Sequence, residues 1–340
     1  MKKILVFSVS LIFNTICFSQ ANIKSLLDSV LLKAREVSMY SSTINWDSLQ
    51  KQVYSKAANA STTQHLKPAL ETLLNGLRDH HGRFLDATNY ATLAYFTDYK
   101  NQRYKDTRTK DPETWKAVND TALKFGYRLL KNNIGYLKIV GIGPNVDIQK
   151  ESEKIRNAVI KLSKKKVTGW IIDLRYNGGG NMYPMVSGIA PIIGDGIAGK
   201  LVSANYDTLF KWTIDKGNFT YDVPGVITLP NKPTFRVLPK VAVLTSRWTA
   251  SSGEVVATTL KGRPDTKFFG EATGGFATNT GWEIINDKII MVISTGMFCD
   301  RNGVVYEKNI PVDMEVLFEV EKNTDKDKCI AEAVKWLRTE

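Results

Sequence analysis

Histidine and cysteine are both scarce in this chain of 340 residues, with three of each. The histidines are His65, His80 and His81. A reaction that needs an imidazole base has to use one of these three side chains. Cys17 lies in a predicted leader segment, while Cys299 and Cys329 lack the paired spacing of a zinc site, and their spacing leaves open whether they form a disulfide. No H-E-x-x-H or C-x-x-C motif occurs, so the sequence predicts neither a metal nor another cofactor.

A hydrophobic run long enough to cross a membrane is missing as well, since the apolar stretch Ile4–Phe13 is too short to span a bilayer. That stretch follows the basic residues Lys2 and Lys3 and precedes the small residues Cys17 and Ser19. This pattern predicts a cleaved signal peptide over residues 1–19 and a secreted or periplasmic protein. The residues before Cys17 fit a lipoprotein acceptor site poorly. We therefore expect no stable membrane insertion after the signal is removed.

Positive charge is in excess, with a formal net charge of +12. A basic surface can attract anionic surfaces or acidic substrates, but it can equally be a solvated surface that keeps the protein soluble. No nucleic-acid-binding motif accompanies the charge, so we expect no nucleic-acid partner. The hydrophobic content of 43% and the charged content of 24% are typical of a soluble globular protein with a sizeable core.

Hydrophobic periodicity divides the chain into a helical part and an α/β part. Residues 20–130 are predicted to form an N-terminal helical domain, whose third helix ends at Leu77. Residues 131–340 are predicted to form an α/β domain, because strands alternate there with helices. Its best-defined elements are helices over Ile148–Ser163 and Met182–Ile193 and a buried strand over Gly169–Leu174.

The stretch Val241–Ala257 combines a buried strand with the start of a helix. Ser251 lies where the strand gives way to the helix, which is the edge of a sheet where open α/β folds bind ligands. Unpaired N–H groups at a helix N-terminus can stabilise an oxyanion. Ser251 and Glu254 also have the spacing of a capping box, so Ser251 could serve only as a helix cap.

Two further segments carry candidate residues. Asn177–Gly180 is a glycine-rich turn that can approach a ligand closely, or can be simply a tight turn. It lacks the lysine of a phosphate-binding loop. Asp173 and Arg175, just before it, are predicted to support the turn by an ion pair or hydrogen bonds. His80 and His81 follow a predicted helix, where they could face a cleft or only complement the helix dipole.

Taken together, five segments resemble the tail-specific (C-terminal processing) protease and tricorn-core family of serine peptidases. Leu77–His81 is similar to the family's L-x-D-x-H turn, Gly169–Gly180 to its G-x-I-x-D-L-R-x-N-G-G-G segment, and Thr249–Glu254 to T-A-S-A-x-E. Gly270–Gly275 and Glu307–Asp313 resemble the remaining two motifs, in the family's order along the chain.

The resemblance implies a Ser251 nucleophile with His81 as its general base and Glu307 completing the charge network. It further implies an oxyanion hole formed by the N–H groups of Ser252 and Gly180, with Gly179 adjacent.

One family variant uses a lysine base after the T-x-G turn, but Phe276 stands at that position in this chain. The chain therefore resembles the tricorn-like variant, in which a serine precedes the histidine. Here that position is His80, whose accessory role stays open. No carboxylate-binding loop of a PDZ domain is found between His81 and Ile134.

The expected fold is accordingly α/β, with a ββα-spiral (crotonase/ClpP-like) core and an N-terminal helical cap. The expected function is that of a serine endopeptidase acting on a peptide or protein substrate, with no cofactor. Two alternatives stay open, namely a non-catalytic ligand-binding relative of the same fold and an esterase or amidase for small acyl substrates. The sequence does not define the oligomeric state.

Overall fold

The computed structural model describes residues 22–98, 112–120, 122–221, 227–230, 235, 237–320 and 326–339. The predicted signal peptide, residues 1–19, lies outside these ranges. None of the helices within them is both long and apolar enough to span a membrane.

Two compact units make up the chain. The first comprises residues 22–98 together with 278–296, and the second comprises the described residues from 112 to 277 together with those from 297 to 339. The segment 278–296, far away in sequence, thus belongs with the N-terminal helices. The chain passes between the two units at three points. The boundary after residue 130 stays a prediction.

The described residues of the first unit form three α-helices, three whole strands and the first part of a fourth. Its elements are α1 (22–37), α2 (Trp46–Ala57), α3 (Lys67–Leu77), β1 (Arg83–Asp86), β2 (Thr92–Tyr95), β11 (Thr278–Ile285) and the first residues of β12 (Ile289–Asp300). Strand β12 pairs with both β1 and β11, and a turn with positive φ at Asn286 and Asp287 joins β11 to β12. Leucines on one face of each helix pack with Ile289, Met291 and Ile293 of β12 in a single buried core.

The second unit is built around a mostly parallel sheet. Its order is β13 (Met314–Glu315), β10 (Thr266–Gly270), β9 (Lys240–Thr245), β5 (Gly169–Asp173), β4 (Ile134–Lys138) and β3 (Gly126–Leu130), of which only β3 is antiparallel. Both faces of this sheet are buried, because α5 (Ile148–Ser163), α6 (Met182–Ile193) and α7 (Ser252–Leu260) share a core with one face and α8 (Lys328–Leu337) shares a core with the other.

The remaining elements of this unit are the short helix α4 (Pro112–Val118) and the antiparallel strands β6 (Gly196–Val202), β7 (Thr208–Asp215) and β8 (Asn218–Tyr221). The last residues of β12 pair with β6. Cys299 and Cys329 are both buried and free, so the disulfide left open by the sequence is not formed.

The parallel arrangement brings the carboxyl ends of β5 and β9 to the same edge of the sheet. Strand β5 pairs with β9 in register from Gly169–Lys240 to Asp173–Leu244. The predicted support beneath this edge is confirmed, since the Arg175 guanidinium lies 2.7 Å from the Asp173 carboxylate and 2.8 Å from that of Asp327. All three side chains are buried, so this end of β5 is held rigidly.

Candidate active site

A buried link carries the chain from the end of β9 to Ser251. The Thr249 hydroxyl donates to the carbonyl of Leu174 at 2.8 Å, and the Ser246 hydroxyl donates to the carbonyl of Arg175 at 2.6 Å. Both acceptors lie just after β5. The neighbouring strand end therefore fixes the link, and through it the position at which α7 begins.

Ser251 itself has an unusual backbone, with φ of 53° and ψ of −121°. A side chain with a Cβ atom rarely adopts this combination, because it costs conformational strain of about 1–3 kcal/mol. The backbone N–H of Ser251 donates to the Glu254 carboxylate at 2.9 Å, so the glutamate half of the predicted capping box is formed. Strain concentrated at a half-buried serine favours a functional role beyond that of a helix cap.

The glycine-rich turn packs directly against this serine. The N–H of Ala250 donates to the carbonyl of Asn177 at 2.9 Å, and the Ser252 hydroxyl donates to the carbonyl of Gly180 at 2.5 Å. Gly179 has a φ of +108°, and a Cβ atom added to it would lie 2.7 Å from the Cβ of Ser251. Only glycine allows the turn to come this close.

Two of the predicted oxyanion donors keep their N–H groups unused in the described part of the chain. No hydrogen bond is found there for the backbone N–H of Ser252 or for that of Gly180. The N–H of Gly179, in contrast, donates to the Asn177 side chain at 3.0 Å. Ser252 and Gly180 are therefore the donors available to a developing oxyanion.

Glu254 is a functional candidate to which the sequence analysis gave only a capping role. Its side chain is fully buried and accepts four hydrogen bonds: from the N–H of Ser251, the Thr273 hydroxyl at 2.6 Å, and the N–H groups of Gly275 and Phe276 at 3.0 and 2.8 Å. Burial raises the pKa of Glu254 to about 7, against the opposing effect of these donors. The carboxylate ties Ser251 to the turn that contains Thr273. The glutamate three residues after the serine was the available signal, but an acidic residue at that position is usually only a cap.

Glu307 lies beyond this turn, on a segment that packs against it. The N–H of Ile310 donates to the Thr273 hydroxyl at 2.8 Å, and the carbonyl of Lys308 lies 2.7 Å from where a Cβ atom on Gly275 would stand. The Glu307 side chain is exposed and accepts a hydrogen bond from the Tyr206 hydroxyl. Its predicted part in the charge network stays a prediction.

His81 lies in the first unit, on the turn that follows α3. Asp79 shapes this turn by accepting hydrogen bonds from the N–H groups of His81 and Gly82 at 3.1 and 3.0 Å. The Nδ1 atom of His81 lies 2.9 Å from the Thr278 hydroxyl. Burial, and to a smaller degree the charge of Arg83, lowers the pKa of His81 to about 4. The imidazole is therefore neutral at pH 7, which is the state that a general base needs.

The other two histidines are at the surface. The ring of His80 is exposed and packs against Phe96 with 4.2 Å between ring centroids, and His65 is exposed next to Ser61. An accessory role for His80 stays a prediction. Among the described residues, no cluster of three histidine, cysteine or acidic side chains could hold a metal ion.

Comparison with known proteins places the chain in a family. The model of peptidase family S41 matches residues 133–316, which is more than half of the chain, so the chain belongs to this family. The resemblance to tail-specific processing proteases inferred from the sequence is thereby confirmed.

The sequence identity to an individual relative is low. A nisin-resistance protein from Lactococcus lactis subsp. lactis is 28% identical over 189 residues, which cover 53% of this chain and 52% of that protein. The chain thus spans about half the length of this curated relative.

Solved structures share the fold along nearly the whole chain. A lipoprotein from Streptococcus agalactiae has a TM-score of 0.65 at 22% identity, covering 91% of this chain and 93% of the other. A photosystem II D1 C-terminal processing protease has a TM-score of 0.58 at 15% identity, covering 86% and 92%. The mixed α/β fold expected from the sequence is therefore that of S41 peptidases.

Proposed function

We propose that this chain is a serine endopeptidase that cleaves peptide bonds through an acyl-enzyme at Ser251. In the proposed mechanism His81 removes the hydroxyl proton as the Ser251 oxygen attacks the scissile carbonyl, and it then protonates the leaving amine. The N–H groups of Ser252 and Gly180, beside Gly179, stabilise the oxyanion. Water, activated by the same imidazole, hydrolyses the ester and restores Ser251. Glu307 stabilises the imidazolium, and His80 has an accessory role.

The observation that carries the proposal is the surroundings of Ser251. A strained serine at the start of α7, in contact with Gly179 and next to two unused backbone N–H groups, is the arrangement that acyl transfer requires. A serine that only caps a helix needs neither the strain nor the glycine contact. Because the chain belongs to a peptidase family, we expect the bond that it cleaves to be a peptide bond.

The fold and location inferred from the sequence form part of the same proposal. The core adopts a ββα-spiral of the crotonase/ClpP-like type, with an N-terminal cap that contains the helices α1, α2 and α3. Residues 1–19 direct the protein out of the cytoplasm, to the periplasm or the medium. The likeness to a lipoprotein from Streptococcus agalactiae agrees with such a location.

The substrate class is a peptide or protein chain. One relative is named for resistance to nisin, so nisin belongs in a substrate panel beside peptides and small esters. Cleavage of esters alone would instead indicate an esterase or amidase.

Covalent labelling tests the proposal. The mature protein is incubated with a fluorophosphonate probe, and the adduct is located by mass spectrometry in the wild type and in Ser251→Ala and His81→Ala. We expect an adduct on Ser251 that Ser251→Ala abolishes and His81→Ala slows by about 10²–10⁴-fold, the usual contribution of a general base. Ser163→Ala and His65→Ala are matched controls, since the Ser163 hydroxyl donates to the carbonyl of Val159 within α5 and His65 is at the surface. A folded wild type that takes up no probe would contradict the proposal and favour a non-catalytic binding protein.

A further inference from the structure

A buried carboxylate lies beneath the turn that carries His81. Asp79 is fully buried, and its two oxygens accept four hydrogen bonds. Two come from the N–H groups of His81 and Gly82, and two come from Ser294 of β12, whose N–H and hydroxyl each donate at 2.7 Å. Burial raises the pKa of Asp79 above its ordinary value, although the four donors oppose this rise. Because all four neighbours are donors, the ionised carboxylate is the form that they complement.

A chain of hydroxyl groups continues from Asp79 to the imidazole ring. The Ser294 hydroxyl lies 3.0 Å from the Thr278 hydroxyl, which in turn lies 2.9 Å from Nδ1 of His81. All four residues belong to the first unit.

The direction of each hydrogen bond follows from counting protons. The Ser294 hydroxyl has one proton, which it donates to Asp79, so the Thr278 hydroxyl has to donate its own proton to Ser294. Thr278 can then only accept from His81. The proton of the neutral ring is therefore on Nδ1 and the lone pair is on Nε2.

We propose that Asp79, Ser294 and Thr278 form a relay of positioning residues that holds His81 in the tautomer with its lone pair on Nε2. In this relay two hydroxyl groups separate the carboxylate from the ring, whereas in a catalytic triad the carboxylate contacts the ring directly. Asp79 also holds the backbone of the same turn, so that one carboxylate fixes both the location and the protonation of the ring. The role in catalysis rests on the proposed function of His81, whereas the tautomer does not.

The charged and titratable groups around the relay are consistent with this role. Arg83 disfavours a positive charge on His81, and the phenol of Tyr40 has its pKa raised to about 12 by burial and by Asp79. Tyr40 therefore stays neutral across the working range of pH, and Asp79 is the negative charge that faces the two hydroxyls.

The test reads the tautomer directly. The protein is labelled with ¹⁵N-histidine, and two-bond ¹⁵N–¹H correlation spectra at pH 7 identify which ring nitrogen of each histidine carries the proton, with His81→Gln used for assignment. We expect Nδ1–H for His81, although free histidine in water prefers Nε2–H. A wild-type spectrum with the proton on Nε2 would overturn the relay without reference to any activity.

Variants at Thr278 test the coupling to catalysis. Thr278→Val keeps the shape but removes the hydroxyl, and we expect the Nε2–H form to become populated and kcat to fall about tenfold with KM unchanged, as for one lost hydrogen bond. Thr278→Ser restores the hydroxyl and should restore both readouts. Thr295→Val is the matched control, because it removes a hydrogen bond of the same hairpin, from Asn279 at 2.9 Å, that does not involve the relay.

The outcomes separate the two proposals. An unchanged tautomer and kcat in Thr278→Val would refute the relay, as would equal losses in Thr295→Val. A tautomer that shifts as expected in a protein whose activity survives His81→Ala would support the relay and refute His81 as the base.

Discussion

The close approach of Gly179 to Ser251 can be tested by adding a single methyl group. In Gly179→Ala the new Cβ atom would stand 2.7 Å from the Cβ of Ser251 and 3.0 Å from the carbonyl oxygen of Ala250, at a φ of +108°. The conformational strain costs about 1–3 kcal/mol and the steric overlap about 1–3 kcal/mol more. To reach an ordinary contact of 3.4 Å, the turn has to retreat by about 0.7 Å.

A retreat of this size matters more for catalysis than for folding. The turn carries Gly180, whose N–H is a proposed oxyanion donor, and a displacement near 1 Å in an active site can cost about 10²-fold in rate. We therefore expect kcat/KM of Gly179→Ala to fall about a hundredfold while the protein still folds.

The adjacent glycine supplies the control. Gly178 belongs to the same turn, is exposed, and has no atom within 4 Å of an added Cβ and no positive φ. Gly178→Ala should leave both peptide hydrolysis and the thermal midpoint nearly unchanged. Steady-state kinetics with a fluorogenic peptide and thermal unfolding of both variants provide the measurement. A folded Gly179→Ala protein with wild-type kcat/KM would refute the reasoning, because it would show that the contact with Ser251 is not needed.

Three further predictions concern buried charges. The pKa of Glu254 rises from 4.5 to about 7 on folding, so between these pH values the folded state holds a proton that the unfolded state releases. The free energy of unfolding should therefore fall as the pH rises from 4.5 to 7. Glu254→Gln should flatten this part of the curve of unfolding midpoint against pH and lower stability by about 1–3 kcal/mol. Since the pKa of His81 is lowered from 6.5 to about 4, the acid limb of kcat/KM in a pH–rate profile should lie near pH 4, and a limb near 6.5 would contradict its burial. Arg175→Met leaves two carboxylates buried without their partner, and urea unfolding should show a loss of roughly 3–5 kcal/mol.

The regular elements of the second unit were largely predictable from the sequence. The helices over Ile148–Ser163 and Met182–Ile193 have the predicted bounds, and the buried strand predicted over Gly169–Leu174 is observed over Gly169–Asp173. These segments have strong periodicity or a continuous apolar run, and tertiary packing reinforces what the local pattern prefers.

The first unit was less predictable because it is assembled from distant segments. Strands Arg83–Asp86 and Thr92–Tyr95 are four residues each, too short for periodicity to distinguish them from helix or loop. The two strands pair with each other, and the other partner of Arg83–Asp86 begins at Ile289, about two hundred residues later. Nothing local to either segment indicates this pairing, so the sequence could not predict that the hairpin would bring Thr278 to His81.

The candidate site shows the same limit in its acidic residues. His81 was recognisable because the chain has only three histidines, and Ser251 because it lies where a buried strand gives way to a helix. Asp79 and Glu254 lie within two of the matched motifs, but their roles were not recognisable, since a carboxylate in a sequence is usually solvated. What distinguishes these two is that each is fully buried and accepts four hydrogen bonds from two separate segments of the chain. A buried carboxylate is costly unless its donors are held in place, and donors held in place in turn fix the loops that carry them. Each unit thus uses one buried acid to hold the turn that presents its proposed catalytic side chain, and that function exists only once the fold has brought the donors together.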